Sequence, residues 1–272
     1  MGSVRVVVQA PGWGPSGEYL ERTLTPLLPG LNPHHYPVRN TPGGEETSAP
    51  DSQAAEQLAA DLEAERLKLG VDRLAIIGHS HGSVTALAYA VRYPARVAAL
   101  VLLGPSLVSP SSTPMAAELL RQFSEDPDRR PAMEWLANTP RSVAARGDDR
   151  ALARWMRATA PLNFFDLNAM REFHGALRDM PAPRAQTLAR TPAEPEEWIG
   201  RGLSSVVTPT LVVVGRFDFV TPVDAAVEVV NAIAHARLLV VDHAGHNPWA
   251  ERPQAVARAI RGFLESVLVP HS

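Results

Sequence analysis

Gly78-His79-Ser80-His81-Gly82 lies between the apolar run Arg73-Leu74-Ala75-Ile76-Ile77 and the segment Ser83-Val84-Thr85-Ala86-Leu87-Ala88-Tyr89-Ala90. The first flank reads as a buried strand and the second as a helix, so the pentapeptide is a sharp strand-to-helix corner with a serine at its apex. Such a corner forces the apical residue into a strained backbone conformation and lifts its hydroxyl clear of the sheet edge. Glycines two residues to either side fit because a Cβ there collides with the neighbouring strand and helix. The pentapeptide alone is a weak signal, and its flanks are what give it weight.

Two later segments share the pattern of a strand followed by a polar loop. Thr210-Leu211-Val212-Val213-Val214-Gly215 precedes Arg216-Phe217-Asp218-Phe219-Val220-Thr221-Pro222, and Ala236-Arg237-Leu238-Leu239-Val240-Val241-Asp242 precedes His243-Ala244-Gly245-His246-Asn247-Pro248-Trp249. Loops at strand carboxyl ends are where parallel sheets bind ligands. A serine hydroxyl needs a base to become nucleophilic, a histidine suits that role at neutral pH, and a carboxylate orients the imidazole. We therefore expect Ser80 as nucleophile, Asp218 as orienting acid and one of the two histidines of the last loop, His246 or His243, as base. Asp242 is expected to serve a turn or cap. His79 is expected to pack beside the corner. The His81 backbone N–H is expected in an oxyanion hole, its imidazole either lining an acyl pocket or packing.

The order Ser80, Asp218, His246, each after a strand, resembles the α/β-hydrolase superfamily, and in particular its proline iminopeptidase-like branch. In that branch the first core strand ends in His-Gly-Gly-Pro-Gly, followed by Tyr-Leu. Here Val4–Gln9 is the strand, Ala10-Pro11-Gly12-Trp13-Gly14 takes the place of the loop, and Glu18-Tyr19-Leu20 follows. The resemblance implies that Gly12 supplies the second oxyanion N–H. Gly245-His246-Asn247-Pro248, with Glu251 and Pro253 behind it, matches the histidine loop, so the resemblance implies His246 rather than His243 as the base. Ala10 stands for the histidine of the branch and Trp13 for its proline, which implies a reshaped pocket. Val38–Glu46 keeps only the loop character of the Asp-x-Arg-Gly-x-Gly-x-Ser segment. The resemblance covers about residues 4–104 and 205–266.

With 272 residues, 45% of them hydrophobic, the chain can bury one sizeable core plus a small cap. A net charge of −3 argues against a nucleic-acid surface or a basic membrane-binding face. Cysteine is absent, which excludes disulfides, zinc–thiolate sites and cysteine nucleophiles. No apolar run approaches the roughly 20 residues of a membrane span. Met1-Gly2-Ser3 leads directly into a strand with no secretory h-region, so a cytoplasmic protein is expected. Neither metal nor organic cofactor is expected.

Strands are predicted at 4–9, 34–39, 73–78, 97–103, 210–215 and 236–242, and helices at 17–28, 52–69, 82–92, 222–234 and 249–266. The helix over 52–69 has Asp51 or Ser52 as its cap and stops at Gly70. This alternation specifies an α/β fold: a doubly wound, parallel sheet of about six strands. Residues for the usual N-terminal antiparallel hairpin are missing, and an exposed edge strand is a surface through which two copies can pair. Residues 1–104 and 205–272 are read as the core and 105–204 as an inserted helical cap, with helices at Pro114–Phe123, Pro131–Ala137, Asp148–Ala160 and Asp166–Leu177. The insertion is rich in arginine (Arg141, Arg146, Arg150, Arg154, Arg157, Arg171, Arg178). Trp13, Trp135, Trp155, Phe164, Phe165 and Phe219 are candidate pocket residues, although packing is the commoner fate of each. A peptidase of this branch needs a cap carboxylate to hold a free amino terminus; Glu134, Glu172, Glu196 and Glu197 are available.

The expected activity is that of a serine hydrolase acting through an acyl-enzyme on a small-molecule ester, lactone, thioester or amide. The competing classes are a lyase or cyclase using the same three side chains, and a ligand-binding protein on a hydrolase scaffold.

Overall fold

The computed structural model describes residues 2–49, 52–105, 107, 113–139, 146, 148–192 and 196–268. Six strands, β1 (Val4–Gln9), β2 (His34–His35), β3 (Arg73–His79), β4 (Val97–Leu103), β5 (Thr210–Gly215) and β6 (Ala236–Val241), form one sheet in the order β2-β1-β3-β4-β5-β6. Every neighbouring pair is parallel, in agreement with the expected sheet.

Side chains alternate across a strand, so each strand feeds two cores. Val6, Val8, Ala75, Ile77, Ala99, Val101, Leu211 and Val213 face one way, with Leu20, Leu24, Trp249, Ile260 and Phe263 packed over them. Val7, Leu74, Ile76, Leu100, Leu102, Val212 and Val214 face the other, under Ala59, Leu62, Leu87, Tyr89, Ala226 and Val229. Burial on both faces is why the central strands read as unbroken apolar runs rather than alternating ones. The covering helices are α1 (Glu18–Thr23), α2 (Ala55–Lys68) and α3 (His81–Arg92) early in the chain.

Several boundaries differ from expectation, mostly at prolines. The predicted helix over 17–28 divides into α1 and a 3₁₀ turn at Thr25–Leu27, because Pro26 has no N–H and crowds the preceding turn. The strand expected over 34–39 pairs only at His34 and His35. Pro37 cannot donate to the ladder, and the chain turns at once, with Asn40 at φ 59°. Helix α2 begins three residues later than expected, with Ala54 at its N-cap. Its cap is tertiary: the Ala55 N–H donates to the Glu196 carboxylate at 2.6 Å. Ser52, one expected cap, lies before the helix with its hydroxyl accepting from the Asn40 amide at 3.0 Å, and Asp51, the other, lies outside the described residues.

Between β4 and β5 run α4 (Pro114–Glu125), α5 (Arg130–Asn138), α6 (Asp149–Thr159), α7 (Leu167–Ala176), α8 (Ala185–Arg190) and α9 (Glu197–Gly202). The first four match the predicted helices to within two residues at each end. Thr113, Asp148 and Asp166 cap α4, α6 and α7 through their side chains. Arg141 lies outside the described residues. After β5 come α10 (Val223–Ala232), α11 (Pro248–Glu251) and α12 (Pro253–Leu268), Pro253 splitting the helix expected over 249–266. Among the described residues no helix is long and apolar enough to cross a membrane.

The insertion meets the loops at the strand carboxyl ends through two small apolar clusters. Phe217 and Phe219 pack on Leu119, Phe123, Ala132 and Leu162. Trp13, Trp155 and Met156 pack on Leu152, Ala185 and Leu188.

Candidate active site

The corner after β3 places Ser80 at φ 53°, ψ −124°, a conformation disfavoured for any residue with a Cβ. Tertiary bonds hold it there. The Ser80 N–H donates to the Leu103 carbonyl at 2.8 Å, and the Ser83 N–H donates to the Ser80 carbonyl at 2.8 Å. The Ser83 hydroxyl donates to the Gly78 carbonyl at 2.8 Å.

Asp218 follows β5 and is buried. Its Oδ1 accepts the Val220 and Thr221 N–H groups, each at 2.9 Å. Its Oδ2 accepts the Thr221 hydroxyl at 2.6 Å and His246 Nδ1–H at 2.8 Å. The loop after β6 holds His246 by its own N–H, which donates to the Asn163 carbonyl of the insertion at 2.9 Å. The three expected side chains thus stand on three loops at one end of the sheet, with Asp218 and His246 bonded directly.

The rival groups lie elsewhere. His243 is exposed, at φ 52°, with its ring 5.0 Å from that of Phe165. Asp242 is exposed and paired with Arg216, which holds its carboxyl below the usual carboxylate range.

The loop after β1 is tied on both sides. Gln53 donates its amide to the Gly12 carbonyl. The Gly14 N–H donates to the Thr187 hydroxyl at 2.5 Å, and the Arg184 N–H to the Gly14 carbonyl at 2.9 Å. The insertion therefore braces the loop that carries Gly12. The Gly12 N–H faces His81 Nδ1 at 3.3 Å, an arrangement the sequence did not anticipate. The His81 imidazole occupies the donor that resemblance assigned to an oxyanion.

The candidate pocket aromatics serve several surroundings. Phe164 is buried, with the rings of Phe173 and His174 beside it. Phe165 packs on Phe217 with the rings tilted by 45°, and Phe219 meets Phe123 edge-on. Trp155 donates its indole N–H to the Thr139 carbonyl at 2.7 Å, and Trp135 is exposed.

Three residues around the pair were not singled out. Thr221 orients the Asp218 carboxylate; a threonine three residues after an aspartate is a local signal that could have flagged it. Gly104, at φ +60° on the end of β4, leaves room for the pair: a Cβ there would lie 2.6 Å from Thr221 Oγ1 and 3.3 Å from Asp218 Oδ2. Glu251 was noted only as part of the histidine loop. Its buried carboxylate accepts the Phe165 and Asp166 N–H groups at 2.8 Å each and the Gly245 N–H at 2.6 Å, joining that loop to the insertion.

Burial raises the Glu251 pKa, against the opposing pull of those three N–H groups. The folded state then keeps the proton to higher pH than the unfolded chain does. Its stabilising contribution is full below the unfolded pKa and is lost as pH rises through the folded one. In Glu251→Gln an amide NH₂ meets either the Gly245 N–H or the Phe165 and Asp166 N–H groups. We expect a loss of about 1–3 kcal/mol at acidic pH and a flatter pH dependence. Urea unfolding of both proteins from mildly acidic to neutral pH measures this, and an unchanged slope would refute the assignment.

The family model described as alpha/beta hydrolase fold matches residues 5–253. A 2-hydroxy-6-oxononadienedioate/2-hydroxy-6-oxononatrienedioate hydrolase of Pseudomonas putida is 28% identical over 267 residues, 96% of this chain and 87% of that protein. The enol-lactonase of Burkholderia xenovorans LB400 superposes with a TM-score of 0.72 at 20% identity, covering 97% of this chain and 92% of its own. The esterase EaEST of Exiguobacterium antarcticum gives 0.65 at 20% identity, with coverage of 97% and 93%.

Proposed function

The chain belongs to the α/β-hydrolase fold family, and from that premise we propose that it is a serine hydrolase working through an acyl-enzyme on an ester, lactone, thioester or small amide. The observation that carries this reading is the buried Asp218–His246 bond at the end of the sheet that also bears a serine held at positive φ. Because Nδ1–H of His246 is donated to Asp218, the lone pair on Nε2 is free to take a proton. His246 removes the Ser80 proton as Oγ bonds the acyl carbon, then delivers it to the leaving group. Water, activated by the same imidazole, splits the ester and restores Ser80.

The oxyanion falls to the Gly12 and His81 N–H groups, donors of a kind worth about 3–4 kcal/mol each. Gly12 is engaged by His81 Nδ1, so the substrate carbonyl must replace that nitrogen. The engaged donor also favours a second reading, a lyase or cyclase in which the same side chains move protons without a tetrahedral oxyanion. Incorporation of solvent ¹⁸O into product separates the two.

We assign residues 105–204 as the cap that selects substrate and the remainder as the catalytic core. Placement in the proline iminopeptidase-like branch rests on Tyr19-Leu20 and the histidine loop. Two of its four candidate carboxylates are already committed: Glu196 to the Ala55 N–H and the Trp198 indole, Glu197 to Arg201. Esters and lactones are therefore better first substrates than aminopeptides. The dienedioates named for the Pseudomonas putida relative belong in the same screen.

Intact mass after treatment with a fluorophosphonate probe tests the reading. One adduct on the parent and none on Ser80→Ala is expected. A folded parent that takes no adduct overturns it.

A further inference from the structure

We propose that Tyr19 and His79 form a positioning pair that sets the place of His246 relative to Ser80; the proposal rests on the hydrolase reading above. His79 is buried under the site, among Tyr19, Trp249 and His246. Its Nε2–H donates to the backbone carbonyl of His246 at 3.0 Å, and its Nδ1 accepts the Tyr19 hydroxyl at 2.5 Å. Each ring nitrogen therefore has one partner, and the two bonds together fix the tautomer. The Tyr19 O–H can only be donated to a bare Nδ1, which leaves the proton on Nε2 where the carbonyl of His246 needs it.

Chain connectivity turns this contact into a spacer. His79 and Ser80 are consecutive residues at the end of β3. The residue before the nucleophile thus grips the main chain of the base, so one peptide unit and one hydrogen bond set their separation. Other bonds on the histidine loop, the His246 N–H to Asn163, the Gly245 N–H to Glu251, His246 Nδ1–H to Asp218 and the Phe217 N–H to the Ala244 carbonyl, run to partners outside the β3 corner. Tyr19 carries the constraint back to α1, and the Trp249 indole N–H on the same loop donates to the Thr23 hydroxyl of that helix at 3.0 Å.

The electrostatics suit a positioning role. Burial and the neighbouring His246 hold the His79 pKa well below the ordinary histidine value. Burial likewise pushes the Tyr19 phenol up, so both groups stay neutral and present fixed dipoles. A second cation never stands beside His246 when it takes the proton from Ser80. Because His79 does not itself touch the reacting atoms, its removal should slow the chemical step and spare binding.

The experiment is the rate of fluorophosphonate labelling of Ser80 as a function of probe concentration, with p-nitrophenyl acetate turnover and the Tm measured alongside. His79→Leu is expected to reduce the maximal labelling rate by about 10²-fold, the usual effect of an ångström-scale misplacement, with half-saturation unchanged. His79→Gln keeps an N–H donor at the reach of Nε2 and should recover most of that loss; Tyr19→Phe should fall between. Labelling of His79→Leu at the parent's rate overturns the proposal, as does an equal loss in the Gln and Leu variants. Should His79→Leu not fold, Tyr19→Phe decides: slower labelling at an unchanged Tm supports the pair, and parent-like labelling overturns it. A parent that is not labelled at all instead brings down the hydrolase reading, before any variant is compared.

Discussion

Asp218→Asn is expected to lower kcat by about four orders of magnitude with little change in thermal stability. The Asp218 carboxylate has two distinct edges: Oδ1 accepts two backbone N–H groups, while Oδ2 accepts the Thr221 hydroxyl and His246 Nδ1–H. An asparagine keeps its carbonyl oxygen on the backbone edge, because an NH₂ there would face two donors. The amide NH₂ is then left against Thr221 and His246. Thr221 can turn its hydroxyl and accept, so the loop survives. His246 must accept at Nδ1, which moves its own proton to Nε2, the nitrogen that receives the proton of Ser80 in the proposed mechanism. The imidazole is present and placed, but in the wrong tautomer. Asp242→Asn is the matched control: its exposed pair with Arg216 is of a kind worth little, and activity should stay within about twofold of the parent. Steady-state kinetics and melting curves of both variants test the pair. If Asp218→Asn keeps a tenth of the parent's kcat, the orienting role lies with another group.

How far the sequence could be read depended on how local each signal was. The Ser80 corner, the Asp218 loop and the His246 loop are each written in a dozen consecutive residues, a strand followed by polar loop chemistry. The all-parallel sheet followed from the same runs, since burial on both faces leaves a strand no polar alternation. What escaped are contacts between segments far apart in the chain. The Glu196 carboxylate caps α2 from 141 residues away, and Thr187 braces Gly14 from 173. His79 could be seen to lie beside the corner, but its grip on the His246 carbonyl, 167 residues on, depends on how the loops meet. Helices α8 and α9, six residues each, are too short to show a period. The breaks at Pro26 and Pro253 are another matter: both prolines stand in the sequence, and each lacks the N–H that would carry the helix through it.

Gly82→Ala carries the largest expected effect on the fold itself. A Cβ at this position would lie 2.2 Å from the Gln9 carbonyl oxygen and 2.9 Å from both C and O of Ala10. These are backbone atoms at the end of β1, so no side-chain rotation relieves the clash. The nearest contact is more than an ångström short of ordinary packing at 3.4 Å. Yielding is resisted on both sides. Gln9 pairs with Gly78 in the sheet, and its side chain bonds the Ala10 carbonyl and the Tyr36 hydroxyl. Across the clash, Gly82 lies in the first turn of α3, two residues from the strained Ser80. Overpacking usually costs about 1–3 kcal/mol, and a clash between two fixed backbones belongs at the upper end or beyond. Any molecules that fold must push Ala10 away from the corner and carry Gly12 with it, separating the two proposed oxyanion donors. A displacement of about 1 Å there costs about 10²-fold in rate. We therefore expect a lowered urea midpoint together with Ser80 labelling at least 100-fold slower among the molecules that remain folded. Gly262→Ala supplies the contrast, since nothing lies within 4 Å of the added Cβ and the residue sits within α12. There the helix should gain about 0.5–1 kcal/mol, with labelling unchanged. A Gly82→Ala protein as stable and as quickly labelled as the parent would mean that the end of β1 does not pack against the serine corner as described.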